Sequence, residues 1–160
     1  MNLLQTIHAI EAVAAHQPTI NSIVRNDVYR LNSIPDAKYG VFAWLQGEHR
    51  IDPESSLQYF AFTFFYIDRL TFNKANQVEV QSVGIETLEN ILRALAVADI
   101  VPDEHTFRTF NERFSDECAG VYCTLTLEVP KDGTCPEDFW KDFDRDFNFD
   151  YSIDDYITFK

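Results

Sequence analysis

Three aspartates at alternate positions, Asp142, Asp144 and Asp146, carry the spacing of the first ligands of a calcium-binding loop. Such a loop also needs glycine at its sixth position, for a sharp turn, and a bidentate glutamate at its twelfth. Counted from Asp142, those positions hold Phe147 and Ile153; counted from Asp144, they hold Phe149 and Asp155. The ligand set is broken, and no calcium site is expected. The histidines His8, His16, His49 and His105 stand in unrelated contexts, and His8 and His16 lie too far apart on one predicted helix for the one-turn spacing of a metal pair. Cys118 and Cys123 have no second pair to complete a zinc site. Cys123 also falls on the inward side of a predicted strand, where a thiol serves as a small hydrophobe. Asp68 with Glu79 and Gln81 has the look of a nuclease metal pair, but no lysine follows at the spacing such sites use. The glycines Gly40, Gly47, Gly84, Gly120 and Gly133 are isolated, so no phosphate-cradling loop is present, and no serine sits in a nucleophile elbow. The expectation is a protein without enzymatic activity, metal or cofactor.

The residues that stand out are suited to adhesion. From residue 131 to 160 the chain holds nine acidic and four basic side chains, together with Phe139, Trp140, Phe143, Phe147, Phe149, Tyr151, Tyr156 and Phe159. A solvated acidic tail has few aromatics. Burying a large apolar side chain is worth roughly 1.5–3 kcal/mol, so a segment this rich in rings is expected to dock. Two readings stand side by side: docking on its own domain, or docking on a neighbouring subunit or partner as an arm that orders on assembly. Acidic groups between the ring anchors would then favour a basic partner surface.

Composition bounds the class. A chain of 160 residues with 46% hydrophobic and 14% aromatic side chains can bury a full core, and one domain with extensions is expected. No apolar run reaches the roughly 18 residues needed to cross a bilayer, and the first residues lack the basic start of a signal peptide. Three cysteines, Cys118, Cys123 and Cys135, form no paired framework, which points to reduced thiols. The net charge of −13 repels DNA, RNA and anionic membranes as binding partners. The same charge suits a conduit through which DNA must slide without sticking.

The elements follow from periodicity. Leu3, Leu4, Ile7, Ile10, Val13 and Ala14 recur at helical spacing behind Asn2, a candidate N-cap, and Pro18 lies just past the end. A short strand is expected around Asp27 to Leu31. Tyr39 to Gln46 reads as a strand, residues 47–56 as a polar connection, and Leu57 to Leu70 as the strongest strand of the chain. In that strand Leu57, Tyr59, Ala61, Phe65 and Ile67 point one way, and Phe60, Phe62, Phe64, Tyr66 and Leu70 the other. Both sides are apolar, so both should be covered, one by helices and one by further protein. Residues 82–98 form a second helix with Ile85, Leu88, Ile91, Leu92, Leu95 and Ala96 as its stripe. Phe107 to Phe114 is a candidate strand. Ala119 to Val129 alternates, with Val121, Cys123, Leu125, Leu127 and Val129 inward and Tyr122, Thr124, Thr126 and Glu128 outward. Strands in pairs between helices predict an α+β fold: an antiparallel sheet of four to five strands, helices on one face, and an extended C-terminal arm. The boundary is placed at Pro130, giving a domain over 1–130 and an arm over 131–160.

Four segments, NDVYRLNSIPDAKYGVFAWLQGEHRID, LQYFAFTFFYIDRL, QVEVQSVGIETLENIL and FNERFSDECAGVYCTLTLEV, together resemble small structural proteins of tailed phages. Their layout is similar to head–tail connector and tail-terminator proteins, including ring proteins of crAss-like and Bacteroides-type phages. The resemblance covers about residues 20 to 130 and leaves the acidic aromatic end unmatched. It implies a virion protein, assembled in the host cytoplasm, that forms a ring of six or twelve subunits around the DNA channel. Its partners would be copies of itself and other connector, portal or tail proteins, with DNA only as passing cargo and no membrane. On this reading Phe60, Phe62, Phe64 and Tyr66 pack between subunits, and Trp140, Phe143, Phe147, Phe149, Tyr151 and Tyr156 dock the arm. The alternative from charge alone is an acidic DNA-mimic inhibitor or immunity-type protein acting in the cytoplasm, which needs only a one-to-one complex with a basic enzyme.

Overall fold

The computed structural model describes residues 1–26, 38–111 and 117–131, and the backbone of 156–158. It shows two helices and a seven-stranded sheet: α1 (Leu3–Ala15), β1 (Ser22–Arg25), β2 (Val41–Asp52), β3 (Leu57–Arg69), α2 (Gln77–Val97), β4 (Val101–Pro102), β5 (Arg108–Asn111), β6 (Cys118–Pro130) and β7 (Tyr156–Thr158). Along the sheet the order is β4-β6-β3-β2-β1-β7, and β5 also pairs with β6. The fold is α+β and mostly antiparallel, as the paired strands predicted. The difference lies at the edges, where short strands raise the count to seven and β1 runs parallel to β2, Ser22 opposite Val41 through Arg25 opposite Trp44. A parallel neighbour requires a long connection, and residues 26–40 supply it. The strand expected around Asp27 to Leu31 lies outside the described residues, and the observed β1 precedes it.

Local chemistry sets the helix starts. The Asn2 side chain accepts the Gln5 N–H at 2.9 Å while the Gln5 side chain accepts the Asn2 N–H at 2.8 Å, a complete capping box. Helix α1 then buries Ala9, Ile10, Val13 and Ala14 and leaves Leu4 60% exposed. Helix α2 begins at Gln77 rather than at 82, because its first turn has an exposed Val78 and Glu79 and no apolar stripe to read. Its inner face is Val80, Thr87, Leu88, Ile91, Leu92 and Leu95, with Ile85 and Ala96 turned outward. Gly84 lets α2 lie directly on the sheet: a Cβ there would stand 2.9 Å from both the Tyr66 ring and the Val121 side chain.

The long strands form the scaffold. β3 pairs with β6 from Leu57 opposite Pro130 to Arg69 opposite Cys118, and with β2 from Asp52 to Val41. The polar connection expected over 47–56 is instead strand through Asp52, with a bulge between Gln46 and His49. That half of β2 has exposed side chains, so pairing with β3 holds it extended where burial does not, and an alternation rule has nothing to detect. The turn that follows is closed by Asp52, whose carboxylate accepts from the Glu54 N–H at 2.9 Å and the Ser55 hydroxyl at 2.7 Å. The Ser55 hydroxyl and Glu54 amide hold this carboxyl below its usual range.

Candidate assembly surface

The rings predicted to pack between subunits are inside the chain. Phe60, Phe62, Phe64 and Tyr66 are each no more than 2% exposed and form one cluster with Ile10, Leu88, Ile91 and Leu95 beneath the helices. Phe64 meets Phe42 edge-on at 5.4 Å, and Phe62 meets Trp44 at 5.9 Å. Period-two patterning separates the two faces of β3 but cannot say which face the helices take. The helices take the more aromatic one, because four large rings fill the volume between two helices and a sheet. The expectation of one helix-covered face holds, with its identity exchanged.

The opposite face divides along its length. Near the start of β2 and the end of β3, Val41, Ala43, Phe65, Ile67, Phe110 and Cys118 form a smaller buried cluster. Toward the β2–β3 turn the face opens. There Leu57, Tyr59, Ala61 and Thr63 on β3 are half-buried, and Thr124 of β6 is exposed. Thr63 and Thr124 stand opposite each other with their hydroxyls 3.1 Å apart. Arg50 lays its guanidinium 4.5 Å from the centre of the Tyr59 ring, a cation–π contact on the outer surface.

At the edge of this open face lies a depression of about 400 Å³, lined by Arg50, Tyr59, Val101, Pro102, Asp103, Thr126 and Glu128. Strand β4 forms its rim because Val101 pairs with Glu128 and Pro102 with Leu127. Asp103 continues the rim: its N–H donates to the Thr126 carbonyl at 2.9 Å, and its carboxylate accepts the Thr126 N–H at 2.8 Å. The floor is aromatic and the walls carry one guanidinium and two carboxylates. Its lining offers apolar contact at Tyr59, Val101 and Pro102 and charge at Arg50, Asp103 and Glu128. Strand β4 carried no signal in the sequence, since two residues are too few for any periodicity.

Two of the polar groups singled out for chemistry, Gln81 and Asp68, have structural partners. The Gln81 amide donates to the Asn111 side chain at 2.8 Å, and Asp68 accepts from the Tyr66 hydroxyl at 3.4 Å. Cys123 is fully buried, and burial pushes its thiol up to about 12, so it stays protonated. No group of three or more metal-ligating side chains occurs among the described residues. No described helix is long and apolar enough to cross a membrane.

One polar feature escaped sequence reading. Glu11, in the apolar half of α1, is 2% exposed and takes the Arg25 guanidinium on both oxygens, at 2.6 and 2.5 Å, while the Trp44 indole N–H donates to it at 3.2 Å. This network ties α1 to β1 and β2. A lone acidic residue within an apolar helical stripe was its one sequence signal.

Of the predicted arm, Trp140, Phe143, Phe147, Phe149 and Tyr151 lie outside the described residues. Tyr156 opens β7, which pairs antiparallel with β1: Val24 opposite Tyr156, Ile23 opposite Ile157, and Ser22 opposite Thr158. This end of the arm therefore meets its own domain through its backbone. Neither a protein-family model nor a curated protein matches the chain.

Proposed function

We propose that this protein is a non-enzymatic assembly subunit, a ring-forming component of the head–tail connector or tail-terminator region of a tailed-phage virion. The observation that carries this reading is the half-open sheet. One face is filled by helices, while the other ends in half-buried Leu57, Tyr59, Ala61 and Thr63 beside a hairpin whose outer half projects from the core. An apolar and hydroxylated strand surface of this kind gains by being covered by another protein. The net charge of −13 supports the placement, since a channel wall of that sign lets DNA pass without binding it. The layout resemblance to connector and terminator proteins agrees with both.

The test is particle mass in solution, with negative-stain images of the same sample. A closed ring with a central hole is the expected result. A stable monomer that instead captures a basic enzyme one-to-one would replace this reading with that of an acidic inhibitor.

A further inference from the structure

Strand β6 is paired with β3 along one side over its whole length, but along the other side only in part. There β4 covers Leu127 and Glu128, and β5 covers Ala119 to Tyr122. Between them the edge is met by the loop 103–107. Thr126 turns its N–H and C=O toward this loop, and Asp103 takes both, through its own N–H at 2.9 Å and its carboxylate at 2.8 Å. Backbone groups two residues apart on a strand point the same way, so Thr124 presents the same pair to the loop. Among the described residues no backbone group across the gap bonds to that pair. The Thr124 side chain is engaged elsewhere, its hydroxyl 3.1 Å from that of Thr63.

Thr124 lines a depression of about 260 Å³ together with Glu104, His105, Thr106, Arg108 and Tyr122. One wall is held by the His105 ring, whose Nδ1–H donates to the Asp103 carbonyl at 2.8 Å and which meets Phe107 edge-on at 5.3 Å. Arg108 is the cation of the site. Among the described arginines, Arg25 and Arg93 pair with glutamates, and Arg50 and Arg69 lie over tyrosine rings. Arg108 makes neither kind of contact among the described residues and is exposed, in a chain with 26 acidic and 13 basic side chains. A guanidinium beside an outward-facing N–H is a donor arrangement for a planar anion with two oxygens. Asp103 shows a carboxylate seated on this edge, two residues along at Thr126. Glu104 on the lining and the net charge of −13 disfavour a second negative charge, which selects a carboxylate over a phosphate dianion. We propose that this depression binds a carboxylate group, one oxygen accepting the Thr124 N–H and the other facing the Arg108 guanidinium. Its source is an acidic side chain of a partner protein or a small free carboxylic acid. The site does not depend on ring assembly.

Saturation-transfer NMR observes the ligand rather than the protein, so it reads the 160-residue chain in any oligomeric state. The probes are sodium acetate and acetyl-glutamate amide at constant ionic strength, with acetyl-glutamine amide as the uncharged control. Saturable transfer to both carboxylate probes is the expected result, with none to the control and weaker displacement by inorganic phosphate than by acetate. Transfer to acetyl-glutamate amide but not acetate supports the site with a protein side chain as its source; transfer to acetate alone supports it with a small free acid. Arg108→Ala should weaken binding about tenfold or more, since a charge-assisted hydrogen bond is lost. Arg108→Lys, which keeps the charge and loses the planar fork, should fall between. Glu104→Gln removes a like charge and should tighten binding. Arg108 is exposed, so circular dichroism and the thermal midpoint of Arg108→Ala should match the wild type. No saturable transfer to either carboxylate probe, equal transfer to acetyl-glutamine amide, or an affinity unchanged by Arg108→Ala overturns the proposal. None of these results touches the ring reading, which particle mass decides.

Discussion

Phe64 separates a core role from an interface role. Its ring is 0% exposed, sits edge-on to Phe42 at 5.4 Å, and belongs to the cluster closed by Leu88, Ile91 and Leu95. Truncation by Phe64→Ala removes the ring and leaves a cavity between two helices and a rigid sheet, where relaxation is limited. Loss of transfer energy and cavity formation together cost about 3–5 kcal/mol. With a urea slope of about 2 kcal/mol per molar, the unfolding midpoint falls by about 1.5–2.5 M. Thr63 is the control: its neighbour on the strand, half-buried on the other face, it bonds Thr124 across the strand pair. Thr63→Ala should cost about 1 kcal/mol or less. Urea titration followed by fluorescence, in which the buried Trp44 reports on the core, measures both. A loss below about 1 kcal/mol for Phe64→Ala, with a change in oligomer mass instead, would refute the placement of this ring beneath the helices.

Glu11→Ala leaves the Arg25 guanidinium and the Trp44 indole without their shared acceptor, and a loss of about 3 kcal/mol is expected in the same titration, with the Arg25 side chain's 28% exposure limiting the effect. Alkaline pH should unfold the chain earlier than ordinary tyrosine and thiol chemistry would. Burial raises the Cys123 thiol from its ordinary 9.0 to about 12 and also raises the Tyr66 hydroxyl. The folded state therefore keeps protons that the unfolded chain releases, so stability is intact below pH 9 and declines from there toward 12, as circular dichroism against pH would register. Truncation after Pro130 removes the aromatic arm together with β7 and should leave a folded domain by circular dichroism that no longer assembles by light scattering; normal assembly would count against the arm.

Legibility followed the strength of the burial pattern. β3, β6 and α1 were readable because each alternates or repeats against a dense core, and the inward set of β6 is the observed one. The far half of β2 was not readable, since its side chains face water and only the ladder with β3 keeps them extended. β1, β4 and β7 are too short for periodicity, and the parallel pairing of β1 with β2 depends on tertiary placement alone. At the candidate surface, patterning separated the two faces of β3 but could not assign them. Which face receives the helices is decided by volume matching with Ile10, Leu88 and Leu95, residues far away in sequence. The depression at Tyr59 joins three distant segments, so no local motif encodes it.

The most direct measurement is the mass of the purified 160-residue chain by multi-angle light scattering across a concentration series, with negative-stain images of the same peak. A ring-forming subunit gives a closed particle of fixed copy number with a central hole, its mass a whole multiple of 18.6 kDa. A mass of 18.6 kDa that stays constant from the lowest to the highest concentration, with no ring in the images, would contradict it.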